Sequence, residues 1–217
     1  MLFSDLGCLE PEDSVRNDDL LLRAHSSGDV PDAVCVYSRT VPAVSLGRSS
    51  VTEECVDLDY ADRNGITIVR RASGGSAIFS DTHQMTYAAV FRDNGSPRED
   101  VFERVCGCII SALAHMGIPG EYKPVNDVLV NGRKISGSAQ RRFRGSILQH
   151  GTLIVSDNRS VVESVLIPLK ERAPVTSLEE VIGIIPDRER VVEALRIGFS
   201  SFDGSLEERP QSDLFFL

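Results

Sequence analysis

The sequence lacks several features that would place a protein in a special class. No apolar run approaches the ~20 residues that a membrane-spanning helix needs. Residues 1–5 show no basic segment followed by an apolar stretch, so we predict no secretion signal. The five cysteines, at positions 8, 35, 55, 106 and 108, form no CxxC pair, and no histidine lies at zinc-ligand spacing from a cysteine pair. We therefore expect reduced thiols in a cytoplasmic protein with no membrane partner.

The chain also lacks the excess of positive charge that nucleic-acid-binding proteins usually have. Its formal net charge is −9, so we predict no nucleic-acid partner. One local exception is a basic segment without any acid, formed by Arg133, Lys134, Arg141, Arg142 and Arg144. Such a segment indicates a site for a compact anion, such as a nucleotide phosphate or a carboxylate. A solvated basic hairpin is the alternative.

Composition and periodicity predict one α+β domain. The 217 residues are 41% hydrophobic and 25% charged, which is ordinary for a globular protein. The patterns predict helices at residues 11–26, 99–116, 178–182 and 188–199, and another ending at residues 64–65. They predict strands at residues 33–37, 43–46, 66–70, 85–91, 128–130, 134–136 and 148–155. The hairpin signal Asn131-Gly132 favours a mixed, largely antiparallel β-sheet with flanking helices.

A first candidate for chemistry is the glycine-rich segment at residues 70–77, which follows a predicted strand. Its two glycines let the backbone approach a ligand, and successive N–H groups there can hold an anion. Arg70 and Arg71 supply forked donors suited to phosphate or carboxylate. A glycine-rich turn with exposed arginines is the alternative. The segment is neither GxGxxG nor GxxxxGK[ST], so neither dinucleotide nor P-loop chemistry is supported.

A second candidate is the segment at residues 126–140. Strand alternation predicts that Lys134, Ser136 and Ser138 share one face. A lysine that faces a pocket can neutralise a carboxylate and then a phosphate-linked carbonyl oxygen, although a solvated hairpin lysine is the alternative. Asp127 is a candidate Mg²⁺ ligand, because magnesium sites combine one or two carboxylates with phosphate oxygens. Its alternative role is to cap the strand entry.

A third candidate is His150, which precedes Gly151 at the start of a predicted strand. It could face the site and hydrogen-bond a ligand or the backbone, and a structural histidine is an equal alternative. Spacing alone permits no Ser-His-Asp or Cys-His assignment.

Together these three segments resemble the lipoate–protein ligase A family, within the biotin and lipoate ligase and octanoyltransferase group. The family's RRxSGGGAV(F/Y)HD is similar to residues 70–81, its GRK(I/V)SGSA to residues 132–139, and its HGTLL to residues 150–154. Weaker similarity covers residues 42–48 and 175–180. The similarity runs from about residue 33 to residue 182 in the family's order, and three motifs at family-like spacing are specific.

The resemblance implies ATP-dependent activation of lipoate to lipoyl-AMP. It then implies transfer to a lysine of a carrier domain of the 2-oxoacid dehydrogenase E2 or glycine cleavage H protein type. ATP and Mg²⁺ would be required, with lipoate or octanoate as the substrate. The implied catalytic residue is Lys134. The implied ATP contacts are Arg71, Ser76, Ala77, Ile78, Phe79 and Lys134, and the implied acyl-site residues are Ser73, Gly74, Gly75, Lys134, Arg141 and His150. Residues 175–180 would resemble the loop that closes over the adenylate.

Ligases of this family often carry an accessory C-terminal domain, which some members have as a separate polypeptide. We expect residues 1–217 to form a single catalytic domain without that accessory domain. A separate accessory ligase subunit is therefore a partner to test.

Three other functions stay open. An ATP-independent octanoyl or lipoyl transferase would use a cysteine nucleophile, yet Pro119 and Pro168 stand near the family's usual positions, and Cys106 and Cys108 lie on a predicted helix and look buried. A biotin ligase would carry a GRGRxG loop, which this sequence lacks. A non-catalytic lipoyl-binding module would show no ATP–pyrophosphate exchange with any partner.

Overall fold

A computed structural model describes residues 1–167 and 173–202 and the backbone of residues 207–208. The strands are β1 Leu2–Leu9, β2 Ala33–Arg39, β3 Ala43–Leu46, β4 Thr67–Arg70, β5 Ile78–Ser80, β6 Met85–Arg92, β7 Glu121–Lys123, β8 Asp127–Val130, β9 Arg133–Phe143, β10 Ser146–Leu153 and β11 Glu207–Glu208. The helices are α1 Pro11–Ser27, α2 Thr52–Cys55, α3 Leu58–Arg63, α4 Arg98–His115, α5 Arg159–Val165, α6 Leu178–Ile182 and α7 Arg188–Ser200. No helix in these described ranges is long and apolar enough to cross a membrane.

The strands form a large sheet and a small sheet. The large sheet has the order β11-β1-β2-β6-β10-β9-β8-β7, and the small sheet has the order β4-β3-β5. In the large sheet, β1 runs parallel to its two neighbours, β2 and β11. All other neighbouring strands of this sheet, from β2 through β6, β10, β9 and β8 to β7, pair antiparallel. The predicted α+β fold with a mixed, largely antiparallel sheet is confirmed.

Both faces of the large sheet are covered by helices. Along β6, Tyr87 and Ala89 belong to the hydrophobic cluster that contains the apolar sides of α4 and α7. The alternate residues Ala88 and Val90 belong to a second cluster, with Leu21 and Leu22 of α1. Because apolar side chains fill both layers, a charged side chain buried between the sheet and α1 needs a specific partner.

The small sheet has its own hydrophobic cluster, which includes Val44, Ile66 and Phe79. Residues 71–77 connect β4 to β5, and we call this connection the glycine loop. The loop is therefore held at both ends by the small sheet, and the large sheet lies on its other side.

Local signals explain most of the helix boundaries. α1 has Pro11 in its first turn and ends at Gly28, which has a φ of +88°. The helix predicted from the apolar repeat around Cys55 is two helices instead of one. It breaks because Asp57 caps α3 by accepting a hydrogen bond from the Tyr60 N–H. The segments β1, β5, β7, α5 and β11 were not predicted from the sequence.

Candidate active site

The glycine loop presents backbone N–H groups outward. Gly74, Gly75 and Ser76 are exposed, and their N–H groups donate no hydrogen bond to any residue that the structure describes. Gly75 has a φ of +99°, a conformation that side chains disfavour. A Cβ added to Gly74 would meet no atom within 4 Å, so the space above this residue is open. Consecutive unpaired N–H groups of this kind suit an anion.

Arg71 holds the glycine loop from beneath. Its guanidinium is buried, and Nη2 donates to the carbonyl oxygens of Gly74 and Ser76, at 2.8 Å each. Nη1 donates to the Ser45 carbonyl at 2.7 Å, and Nε donates to Ser73 Oγ at 3.1 Å. In a trans peptide the C=O and the next N–H point in opposite directions, so the bond from Arg71 to the Gly74 carbonyl directs the Gly75 N–H away from Arg71. Its predicted contact with ATP stays a prediction.

A second buried arginine lies near Arg71. Arg39, at the end of β2, is buried, and its Nε and Nη1 have no hydrogen-bond partner among the described residues. Burial, followed by the charge of Arg39, lowers the pKa of Arg71 to about 10, so Arg71 remains a cation at neutral pH. Arginine is not deprotonated in proteins, so Arg39 also stays charged. Two buried cations behind outward N–H groups favour binding of an anion.

A chain of buried polar side chains connects the glycine loop to α1. Ser73 Oγ lies 2.6 Å from His150 Nε2, and His150 Nδ1 lies 2.5 Å from Asp18 Oδ2. The Tyr37 hydroxyl donates to Asp18 at 3.1 Å. All four residues are buried. These four side chains link the glycine loop, β10, α1 and β2.

The prediction that Lys134, Ser136 and Ser138 share one face is wrong. The register between β8 and β9 shifts by one residue, so β9 carries a bulge at Ile135. Ser136 Oγ lies 3.4 Å from the Tyr87 hydroxyl, on the α4 side of the sheet. Simple alternation failed because the bulge inserts an unpaired residue and reverses the side of the sheet on which Lys134 lies.

Lys134 lies over Gly137 instead. Its Nζ is 2.6 Å from Asp127 Oδ1, and a Cβ added to Gly137 would lie only 2.4 Å from that Nζ. The absence of a side chain at Gly137 therefore makes room for the ammonium group. Lys134 and Asp127 are both partly exposed, so the pair can be reached from solvent.

The glycine loop and Lys134 border the same part of the large sheet. His150, which bonds Ser73, lies two residues before Thr152 on β10, and Thr152 lies opposite Gly137, the residue beneath Lys134. Two residues of a strand span ~7 Å. A small anionic ligand can therefore lie near the loop N–H groups and the ammonium group together.

Comparison with known proteins identifies the family. A family model for the lipoyl protein ligase A/B catalytic domain matches residues 10–200. The chain belongs to this family. Lipoate-protein ligase LplJ of Bacillus subtilis is 35% identical over 129 residues, which are 59% of this chain and 38% of the relative. Octanoyltransferase LipM of Symbiobacterium thermophilum is 26% identical, in an alignment that includes 96% of this chain and 90% of the relative. This chain thus spans about two fifths of the length of the ligase LplJ.

Solved structures share the fold. A Thermoplasma acidophilum protein with bound lipoic acid has a TM-score of 0.83 at 24% identity, over 99% of this chain and 93% of its own. A lipoate-protein ligase A bound with ATP has a TM-score of 0.82 at 24% identity, over 99% of this chain and 92% of its own. A biotin protein ligase from Aquifex aeolicus has a lower TM-score of 0.54 at 15% identity, over 93% of this chain and 69% of its own.

The other predicted residues around the glycine loop have distinct environments. Ile78 is exposed, whereas Phe79 is buried in the cluster of the small sheet. Arg141, on β9, forms an ion pair with Asp19 of α1. Ala77 is partly buried and packs against the same cluster as Phe79. The predicted ligand contacts of these residues stay predictions.

The predicted closing segment lies beside Lys134. The Lys134 N–H donates to the Pro174 carbonyl at 2.8 Å, and the Thr176 N–H donates to the Lys134 carbonyl at 2.9 Å. Ser177 then caps α6 by accepting a hydrogen bond from the Glu180 N–H. The start of this segment is therefore hydrogen-bonded to the backbone of the predicted catalytic residue.

Most of the basic segment on β9 is neutralised within the protein. Arg133 pairs with Glu180, Lys134 with Asp127, Arg141 with Asp19, and Arg142 with Asp93. Arg144 packs over the Phe143 ring. Lys134 stays the candidate from this segment because it lies over Gly137, on the part of the large sheet that the glycine loop also borders.

Metal-ligating side chains do not cluster in the part of the chain that the structure describes. The described residues contain no group of three or more histidine, cysteine, aspartate or glutamate side chains that could hold a metal ion. Asp127, the predicted Mg²⁺ ligand, already faces the Lys134 ammonium, which disfavours a nearby cation. Asp127 pairs with Lys134 in this structure, and its predicted role as a Mg²⁺ ligand stays a prediction.

Asp18, Tyr37 and Arg39 were not predicted as site residues from the sequence. A usable signal existed for Asp18, because Ser14, Asp18 and Leu21 recur at helical spacing and form the buried side of α1. Cys106 and Cys108 are buried as expected, and burial raises the pKa of Cys106 to about 12. Pro168 lies outside the described residues.

Proposed function

We propose that this protein is a lipoate–protein ligase, which activates lipoate with ATP and transfers the lipoyl group to a lysine of a carrier domain. One observation carries the proposal: the unpaired N–H groups of the glycine loop, which the buried Arg71 holds, border the same part of the large sheet as the Lys134 ammonium. Relatives named lipoate-protein ligase support it, as do similar folds solved with lipoic acid and with ATP.

In the first step, an oxygen of the lipoate carboxylate attacks the α-phosphorus of ATP, and the bond to pyrophosphate breaks. Negative charge increases on the phosphoryl oxygens during this step. The N–H groups of residues 74–76 would stabilise that charge, because they are fixed in place before the reaction. Lys134 would contact both the carboxyl oxygen and the α-phosphate, releasing Asp127 as it does so.

In the second step, the amine of the carrier lysine attacks the carbonyl carbon of the mixed anhydride, and AMP leaves. The amine must be neutral to attack, whereas a free lysine has a pKa of about 10.4. Docking would desolvate the ammonium and favour loss of its proton. Lys134 would meanwhile stabilise the carbonyl oxygen as charge forms on it.

Mg²⁺ enters the proposal only with the nucleotide. Asp127 faces an ammonium group, so no step is assigned to a metal held by this residue. When bound, Mg²⁺ would neutralise charge on the phosphates of ATP.

We also propose that residues 1–217 act as one catalytic domain with a separate accessory subunit, on carriers of the E2 or H-protein type. Two findings support this arrangement. Lipoate-protein ligase A subunit 1 of Thermoplasma acidophilum is 29% identical over 163 residues. A similar fold belongs to a bi-partite lipoate protein ligase solved in a study with its E2 lipoyl domain.

The decisive experiment measures lipoyl-AMP by mass spectrometry after the pure protein is mixed with ATP, Mg²⁺ and lipoate. It is repeated with an accessory chain added, with octanoate in place of lipoate, and with an E2 lipoyl domain to detect the modified lysine. Adenylate that depends on ATP and on Lys134 supports the ligase. A product that forms only with the accessory chain supports the two-subunit form. No adenylate with either addition contradicts the proposal.

The second candidate is an ATP-independent octanoyltransferase, because several relatives that align over at least 81% of their own length carry that name. This reaction would need an accessible thiolate nucleophile. Cys35, Cys55, Cys106 and Cys108 are buried, so the candidate nucleophile is Cys8, which is exposed on β1. Transfer from an octanoyl thioester to the carrier without ATP would establish this function in place of the ligase.

A further inference from the structure

Four buried side chains connect the glycine loop to the core, and the direction of each hydrogen bond can be assigned. An ionised Asp18 carboxylate only accepts, so both the Tyr37 hydroxyl and His150 Nδ1 donate to it. A neutral imidazole protonated at Nδ1 leaves Nε2 as an acceptor. The Ser73 hydroxyl therefore donates to Nε2 at 2.6 Å, while Ser73 Oγ accepts from Arg71 Nε at 3.1 Å.

This arrangement uses both ring nitrogens of His150 within the protein. The ring consequently has no N–H left for a ligand, and its predicted place near the acyl group stays a prediction. Its polar contacts hold Ser73, the residue directly before the exposed Gly74 and Gly75. Two consecutive glycines have a wide choice of backbone conformations, so a fixed neighbour is needed to hold one of them.

We propose that Asp18 is a positioning residue for the glycine loop: it sets the tautomer of His150, which fixes Ser73 and so the direction of the N–H groups of residues 74–76. The proposal rests on the proposed function, since the N–H groups are useful only if an anion binds there. Arg71 fixes the loop carbonyls, and the Asp18–His150–Ser73 chain fixes the loop against the large sheet.

The same three residue types form the nucleophilic triad of serine hydrolases. The burial of Ser73 argues against that role here, because only 1% of this residue is exposed and its Oγ already contacts both His150 and Arg71. A substrate carbonyl has no open approach to that oxygen. The geometry favours a fixed serine over an attacking one.

The test compares Asp18→Asn with Asp19→Asn, which removes the same charge at the next position. Asp19 pairs with Arg23 and Arg141 at the protein surface and has no contact with His150. An asparagine amide can donate to Nδ1, which would move the ring proton to Nε2 and reverse the bond to Ser73. We expect Asp18→Asn to lower kcat/KM for adenylate formation by about 100-fold, and Asp19→Asn to change it less than about threefold.

A double-mutant cycle with Ser73→Ala tests whether the two residues act through one chain. If they do, the Asp18→Asn/Ser73→Ala double variant loses no more activity than Ser73→Ala alone. Losses that multiply would overturn the proposal. A covalent acyl-serine found at Ser73 by mass spectrometry would overturn it in favour of a nucleophile.

A readout that needs no activity separates this inference from the proposed function. Nitrogen NMR of the free protein should show Nδ1-protonated His150 in the wild type and Nε2-protonated His150 in Asp18→Asn, with His150→Gln used for assignment. The amide signals of Gly74 and Gly75 should shift in the same variant and stay in place in Asp19→Asn. Unchanged tautomer and amide signals would refute the inference. Absence of adenylate from the wild type would refute only the function.

Discussion

Replacing Lys134 with alanine removes the ammonium group and should leave the fold intact. The side chain is 30% exposed, and its partner Asp127 is 19% exposed. A partly exposed ion pair of this kind contributes no more than about 1 kcal/mol to stability. We therefore expect the free energy of unfolding of Lys134→Ala to fall by about 1 kcal/mol or less.

The expected effect on adenylate formation is much larger. Removing one preorganised donor to a developing negative charge typically costs 10²–10³-fold in rate, or about 2.7–4 kcal/mol. Lys134 would contact that charge directly, so we expect kcat/KM to fall at least about 100-fold. A loss of about 1 kcal/mol in stability leaves nearly all of the protein folded and cannot produce such a decrease.

The assay combines initial rates of lipoyl-AMP formation with urea unfolding for the wild type, Lys134→Ala and Lys123→Ala. Lys123 is the control, because it is an exposed lysine on β7 and forms no ion pair among the described residues. Nearly normal adenylate formation by Lys134→Ala would refute the role assigned to this lysine. A loss of several kcal/mol in its stability would refute the claim that the role is catalytic and not structural.

Further predictions concern the glycines, the thiols and one surface ion pair. Gly137→Ala should lower adenylate formation with little change in the urea midpoint, because its Cβ would displace the flexible end of Lys134; a normal rate would contradict this. Gly74→Ala should keep its stability within about 0.5 kcal/mol and raise the KM for ATP, since its Cβ meets no protein atom; an unchanged KM would mean that no ligand occupies this space. Iodoacetamide should label Cys8 alone in the native protein and all five cysteines in urea, with activity retained; inactivation by native labelling would support a thiol mechanism. Burial raises the pKa of Asp5, but hydrogen bonds from Arg188 and the Gly7 N–H, together with the Arg188 charge, outweigh it and lower that pKa below 3.8. The resulting stabilisation is present above pH ~4 and lost as pH falls through the folded pKa, so the stability difference between the wild type and Arg188→Ala in urea should shrink at low pH. The bond from Arg188 to the Gly7 carbonyl leaves a remainder that does not depend on pH. A difference of the same size at pH 7 and pH 2 would disprove the linkage.

Elements with strong local signals could be predicted from the sequence. Helices α1 and α4 follow apolar periodicity and lie within about two residues of their predicted bounds. The hairpin at Asn131-Gly132 follows from turn chemistry, and the φ angles of +51° and +72° confirm it. These features depend on residues close together in the chain, which a sequence pattern can reveal.

Elements that depend on distant partners could not be predicted in this way. Strand β1 lacks regular alternation and forms through parallel pairing with β2. The bulge at Ile135 depends on the register with β8, so alternation within β9 alone placed Lys134 with the wrong neighbours. Asp18 was missed for a similar reason, because its partner His150 lies 132 residues away.

The bulge in β9 has a consequence for comparing or engineering such hairpins. Because side chains alternate along a strand with a period of two, one residue more or fewer between the Asn131-Gly132 turn and Gly137 would send the ammonium group toward the α4 layer. The distance in sequence from the turn to that glycine is therefore a constraint as strict as the identity of the lysine itself. A homologue that keeps the lysine and loses one residue of this spacer should be inactive, and inserting the missing residue should restore it.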